Sequence, residues 1–146
     1  MSQVSESFSQ GCAEIRAALS AFPAASANTP YRAGGWTRKQ VLGHMIDSAA
    51  NNHQRFVRAA LEGHYSGPGY QQEGWVEIHG YAELPWDTLL EIWAGTHGML
   101  QRVVSRIPDD RLQSPCVVGD DNPVTLQFLI EDYIAHQRHH LAQIVG

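Results

Sequence analysis

The sequence predicts an all-α protein built as a four-helix bundle. Three observations carry this. Apolar residues recur at helical steps in four separate stretches, no strand-like alternation interrupts them, and the segments between are rich in Gly, Pro, Asn and Asp. The chain has 146 residues, 43% hydrophobic and 17% charged. That suits one domain, 1–146, with enough apolar content for a single core.

Each element follows from its own signals. In the first helix Val4, Phe8, Ile15, Leu19 and Phe22 recur at steps of three, four or seven. Residues 24–30 break that pattern. The second helix opens at Thr37-Arg38-Lys39-Gln40, a capping box in which Thr and Gln satisfy two orphan backbone donors reciprocally. Val41, Met45, Ala49, Phe56 and Ala60 continue its apolar face. Residues 62–84 form a long connection punctuated by Gly63, Gly67, Pro68, Gly69, Gly74 and Gly80, with room for one short helix from Gln71 to Ile78. Pro85 suits the first turn of the third helix, where its missing donor costs nothing. That helix buries Trp86, Leu89, Leu90, Trp93, His97, Leu100, Val104 and Ile107. A loop from Pro108 to Val124 carries the turn signal Gly119-Asp120-Asp121-Asn122-Pro123, and the fourth helix runs from Thr125 to Val145.

Charge and composition exclude several functions. Ten basic residues stand against fifteen acidic ones, a net of −5, and no basic cluster offers a nucleic-acid footprint. No apolar run reaches the ~18 residues of a membrane span. Two cysteines, Cys12 and Cys116, make no disulfide framework, and residues 1–6 show no signal-peptide pattern. A reducing, cytoplasmic setting is the expectation.

The outlying count is eight histidines. Three lie in the fourth helix. Its apolar centre runs along Leu126, Ile130, Tyr133, Gln137 and Ile144. At ~100° per residue His140 sits ~40–50° from that centre and His136 ~80–90° away, one above the other on a single flank. His139 points to the solvent side. Two imidazoles four residues apart on a helix can reach one metal ion. The competing reading is a set of histidines stabilising a helix C-terminus. A protein-held transition metal needs at least a third ligand, and His44, His53 and His97 are the candidates. His44 and His53 lie nine residues apart, ~13 Å along the axis, so they cannot share an ion. The helical wheel favours His53, which is central on the apolar face. If the second and fourth helices run antiparallel, depth along the bundle favours His44, and the long connection leans that way. His97, central in the third helix, reads as a hydrogen-bonded core residue. His64 and His79 fall in the long connection and are expected to be exposed.

Two motifs go further. Pro30-Tyr31-Arg32-x-Gly34-Gly35-Trp36-Thr37-x-x-Gln40-Val41-x-x-His44-x-x-Asp47-Ser48, followed by Gln54-Arg55-Phe56, resembles the second-helix signature of DinB/YfiT-like proteins. Tyr133-x-x-His136-x-x-His139-His140-x-x-Gln143 resembles their fourth-helix signature, and Pro68 to Trp75 their aromatic loop. The resemblance implies an up-down-down-up bundle with a long crossover between the second and third helices. It also implies a divalent metal held by His44, His136 and His140, against the wheel's choice of His53. Some relatives carry two adjacent histidines where this chain has Gly43-His44; the missing one is not the mapped ligand.

Relatives of this kind include metal-dependent thiol S-transferases and proteins named as metal-dependent hydrolases, which makes a small-molecule substrate, and a low-molecular-weight thiol, the expected partners. Three imidazoles suit Zn or Ni first, with Fe, Mn or Cu as alternatives. A coordinated thiol or water would be the nucleophile. Asp47 and Asp132, three residues after His44 and four before His136, are candidates to orient the imidazoles. Tyr31, Tyr70, Trp75 and Tyr81 are candidates to wall the pocket, the alternative being plain packing over the bundle's open end. A closed site without a cavity would instead indicate a non-catalytic metal-binding or interaction module. Bundles of this kind often pair, so a homodimer is a further expectation.

Overall fold

In the computed structural model residues 2–146 are described. Five α-helices are present among the described residues: α1 (Gln3–Ala21), α2 (Arg38–Glu62), α3 (Gln72–His79), α4 (Trp86–Arg106) and α5 (Leu126–Val145). Four make the bundle, and α3 is the short helix of the long connection. The capping box at the start of α2 forms as expected: Thr37 Oγ1 accepts from the Gln40 N–H at 3.2 Å, and Gln40 Oε1 accepts from the Thr37 N–H at 2.9 Å. Gly63 stops α2 at φ +79°, a left-handed conformation open to glycine without strain. Pro85 caps α4 rather than entering it.

Contacts fix the direction of each helix. Phe22, just past α1, packs its ring 5.6 Å from that of Trp86, the first residue of α4. Arg38 at the start of α2 donates through Nε to the Ile144 carbonyl at the end of α5, at 2.7 Å. The Tyr81 ring, just before α4, lies on Gly43 near the start of α2. The end of α1, the starts of α2 and α4, and the end of α5 therefore share one end of the bundle. The order is up-down-down-up. α2 and α4 run parallel, and residues 63–85 cross the length of the bundle between them. Each of α1 and α2 packs on both α4 and α5.

One apolar cluster runs through the middle, including Phe8, Ile15, Leu42, Phe56, Leu89, Trp93, Leu100 and Ile130, all at most 1% exposed. Gly11 lets α1 close on α5: a Cβ there would stand 2.7 Å from Ile134 Cγ1. Polar ties cross the core. Gln137, 1% exposed, accepts from Trp93 Nε1 at 3.0 Å and donates to the Met45 carbonyl at 3.1 Å, joining α5 to α4 and α2. His97, also 1% exposed, donates from Nδ1 to the Trp93 carbonyl at 2.8 Å and accepts at Nε2 from the Tyr133 hydroxyl at 2.6 Å. It is a core histidine held in one tautomer, as its position in the stripe implied.

The expectation of a strand-free chain is corrected. A small sheet of order β1-β2-β3 forms from Tyr65–Gly67, Pro115–Val118 and Val124–Thr125. β1 pairs parallel with β2, Tyr65 opposite Cys116, and β2 pairs antiparallel with β3. Strands of two to four residues are too short to show alternation, which is why the sequence pattern hid them. The sheet ties the crossover to the loop before α5 and closes one side of a groove between α2 and α5. No described helix is long and apolar enough to cross a membrane.

Candidate metal centre

The groove has a chemical pattern that begins in α2. His44, Ser48, Asn52 and Arg55 follow one another at steps of four, four and three, so they share one stripe of the helix. Leu129, Asp132, His136 and His140, at steps of three, four and four, share one stripe of α5. Because the two helices are antiparallel, the stripes face each other, and all eight residues line a cavity of about 560 Å³. Tyr70, Cys116 and the turn at Asp121 and Asn122 complete its walls.

At the end nearest the start of α2, His44 and His140 meet. Their Nε2 atoms are 3.2 Å apart, with ring centroids 4.5 Å apart and planes at 84°. His140 Nδ1 donates to Gln143 Oε1 at 2.9 Å, which leaves the lone pair on Nε2. His44, 3% exposed, packs against the Trp36 ring at 5.2 Å, and its Nδ1 is buried without a partner. Two arrangements satisfy facing Nε2 atoms: one proton shared between them, or one cation shared between two lone pairs. The separation is less than twice the ~2.0–2.1 Å Zn–N bond, so His44 and His140 could together hold one ion. Burial, then the neighbouring His140 and His136, lowers the His44 pKa to about 4. Burial also lowers that of His140. Both rings are neutral at neutral pH, the form that binds metals.

His136 lies one turn before His140 and lines the same cavity. Its imidazole is turned out, 62% exposed, with Nδ1 3.5 Å from Asp132 Oδ2. Among the described residues no three His, Cys, Asp or Glu side chains stand close enough together to hold an ion. The geometry thus pairs two of the three mapped histidines and leaves the third at the rim, beside a carboxylate.

Other sequence expectations divide. Asp132 does sit next to His136. Asp47 does not orient His44: it is 1% exposed and turned to the other side of α2. There its Oδ1 accepts from the Tyr81 hydroxyl at 2.6 Å and meets His79 Nδ1 at 3.2 Å, while Oδ2 is buried without a partner. Burial raises its pKa. Tyr81 is corrected with it. The ring is buried at 5% exposure, stacked 4.9 Å from His79, and serves Asp47 rather than the cavity. Tyr70 lines the cavity and Trp75 supports it from behind, ring centroids 5.5 Å apart. Tyr31 is half-buried in the turn before α2, outside the cavity wall. His53 is half-buried, and His64 and His139 are exposed. His79 is exposed yet bonded to the Trp75 carbonyl as well as to Asp47. The sequence reading assigned no role to Ser48, Asn52, Arg55 or Gln143. The polar stripe along a helix otherwise buried near its start was the available signal.

Comparison with known proteins agrees with this architecture. The model of the DinB superfamily matches residues 7–144. A protein of Bacillus cereus strain AH820, named "Putative metal-dependent hydrolase", is 32% identical over 119 residues, covering 82% of this chain and 68% of its own. A protein of the same name from Bacillus anthracis strain A0248 matches to the same extent. Among solved structures, Bacillus subtilis YfiT, described as a probable metal-dependent hydrolase with an unusual four-helix bundle topology, superposes with a TM-score of 0.85. It is 25% identical, covering 99% of this chain and 86% of that one. A mycothiol-dependent maleylpyruvate isomerase gives 0.79 at 15% identity, covering 97% of this chain but 59% of its own, a likeness of fold alone.

Proposed function

The chain belongs to the DinB superfamily, and from that premise we propose that it is a divalent-metal-dependent enzyme acting on a small molecule in the groove between α2 and α5. The observation that carries the proposal is the His44–His140 pair, two neutral imidazoles with Nε2 atoms 3.2 Å apart at the end of a cavity of about 560 Å³. Cavities of ~300–1,000 Å³ are the usual size for small-molecule sites. His44 and His140 would hold the ion, and His136 would join them by turning its ring inward from the rim. Zn or Ni suits such nitrogen ligands, as do Fe and Cu. When bound, the ion would supply Lewis acidity and lower the pKa of a water or a thiol beside it.

The chain's own residues supply the rest. Gln143 fixes His140 in the Nδ1–H tautomer, so that Nε2 stays available. Asp132 can hold the His136 Nδ1 proton in the same way. Trp36 packs over His44 and keeps water from one side of it. Tyr70, Asn52 and Ser48 offer hydrogen-bonding groups to a substrate along the cavity wall. Hydrolysis is the first reading, supported by the names of relatives at 31–32% identity. Transfer of a low-molecular-weight thiol to an electrophile is the second, and a cavity of about 560 Å³ is of a size that takes small molecules.

The test compares stripped and Zn- or Ni-reloaded protein on a panel of esters and amides, and on a thiol with an electrophile. Metal-dependent turnover that disappears in His140→Ala is expected. Equal rates with and without metal across both panels would overturn the proposal.

A further inference from the structure

We propose that Arg55 is a carboxylate-binding residue, and that the substrate of this cavity carries one carboxylate at the end away from the histidines. This rests on the reading of the groove as the reaction site and names the class of molecule it takes. Arg55 is 7% exposed and lines the cavity. A buried guanidinium normally has a carboxylate partner, since burial strips water from a full charge. Here its hydrogen-bond partners are neutral: NH1 donates to Asn52 Oδ1 at 3.4 Å and NH2 to the Pro68 carbonyl at 3.3 Å. Both bonds are long for a charged donor. Among the described residues no carboxylate oxygen lies within 4.0 Å of it. Asp121 and Asp132 line the same cavity without reaching it.

Arginine offers five donors in a planar fork that matches a carboxylate, and two of the five have partners within the chain. Asn52 is 7% exposed and Ser48 half-buried on the same stripe, and each can add a hydrogen bond. One positive charge balances a monoanion. A phosphate monoester would bring excess negative charge next to Asp121 and Asp132, which favours the carboxylate. The contact with Asn52 shows that the guanidinium reaches back one turn along α2. Position 52 is eight residues from His44, ~12 Å along the axis. The carboxylate and the reacting group would therefore sit at opposite ends of an elongated molecule.

The test uses metal-free protein, so that its outcome is independent of the metal. Binding of hexanoate, hexanamide and hexyl phosphate is followed by ligand-observed NMR on wild type, Arg55→Gln and Arg55→Lys. Hexanoate is expected to bind wild type about tenfold or more tightly than hexanamide, with the preference lost in Arg55→Gln and partly kept in Arg55→Lys. His140→Ala, which should lose metal, is expected to keep the preference. Hexanamide binding wild type as well as hexanoate does would overturn the proposal without any variant having to fold. So would an unchanged preference in folded Arg55→Gln, or tighter binding of hexyl phosphate than of hexanoate. Failure of metal uptake alone would count against the proposed metal chemistry and leave this result standing.

Discussion

The Tyr81 ring occupies the space that any side chain at Gly43 would need: a Cβ built on Gly43 would clash with the ring carbons, far inside contact distance. That contact seats the end of the crossover against the start of α2 and delivers the Tyr81 hydroxyl to Asp47. It also gives a physical reason why a second histidine cannot precede His44 in this chain without displacing Tyr81.

Gly43→Ala should therefore destabilise the protein by about 1–3 kcal/mol, the usual cost of overpacking a filled core. Tyr81→Ala should cost a similar amount or more by leaving a cavity and removing the hydroxyl from which the buried Asp47 accepts. The double variant should be clearly less than additive, because removing the ring makes room for the new methyl. Chemical denaturation of the four proteins reads this. Strict additivity would show that the ring and the glycine are not in contact.

The proposed ligands His44 and His140 predict a pattern of metal content. Wild type should carry about one divalent ion per chain by elemental analysis after reconstitution and desalting. His44→Ala and His140→Ala should carry none, while His53→Ala and His139→Ala should match wild type. Gln143→Ala should weaken affinity about 10–100-fold, the usual effect of freeing a ligating imidazole from the group that orients it. Retention of full metal content in His140→Ala would remove the basis for the centre.

His97 makes a pH prediction. Burial holds its folded pKa at about 4, against 6.5 for the unconstrained ring. Between those values the unfolded chain binds the proton and the folded chain does not. Stability from this residue is thus full above pH ~6.5 and falls as pH drops toward 4, by about 3 kcal/mol in all. His44 and His140 are shifted the same way, so the informative quantity is a difference. His97→Gln should show a shallower loss of denaturation free energy between pH 6.5 and 4.5 than wild type. Parallel curves would mean that His97 takes up its proton equally in both states.

Gln137→Leu should cost about 1–3 kcal/mol, since it strands the Trp93 indole N–H in the core. The exposed Gln10→Leu should stay within about 0.5 kcal/mol of wild type. Thermal unfolding distinguishes them, and equal Tm values would show that the buried amide carries no net stability.

The bundle was readable because its signals are local and redundant. Thr37 and Gln40 mark a helix start, and the stripe from Trp86 to Ile107 marks a whole element. The direction of the helices was readable only indirectly, from a connection long enough to cross the bundle. The wheel misjudged His44 for a definite reason. Residues 41–47 are buried all round, because Tyr81 covers the side of α2 that would otherwise face water. Periodicity has no contrast to detect there. Asp47 was misplaced for the same reason: three residues from His44, it was assigned to its neighbour, but the crossover supplies Tyr81 and His79 on its own side. Arg55 was visible as part of a motif but carried no assigned role, since an arginine on a helix is ordinarily exposed. Only its burial without a carboxylate makes it informative.

The pairing of β1 with β2 joins residues about fifty positions apart, Tyr65 to Cys116. The histidines stand on helices at the heart of the bundle, while the facing wall hangs from this strand pair and its flanking turns, Gly69 to Gln71 and Gly119 to Asn122. Part of the groove's lining is thus written in stretches of the chain separate from the helices that carry the histidines. Insertions or exchanges in those turns would redraw one wall of the groove while the paired imidazoles keep their places.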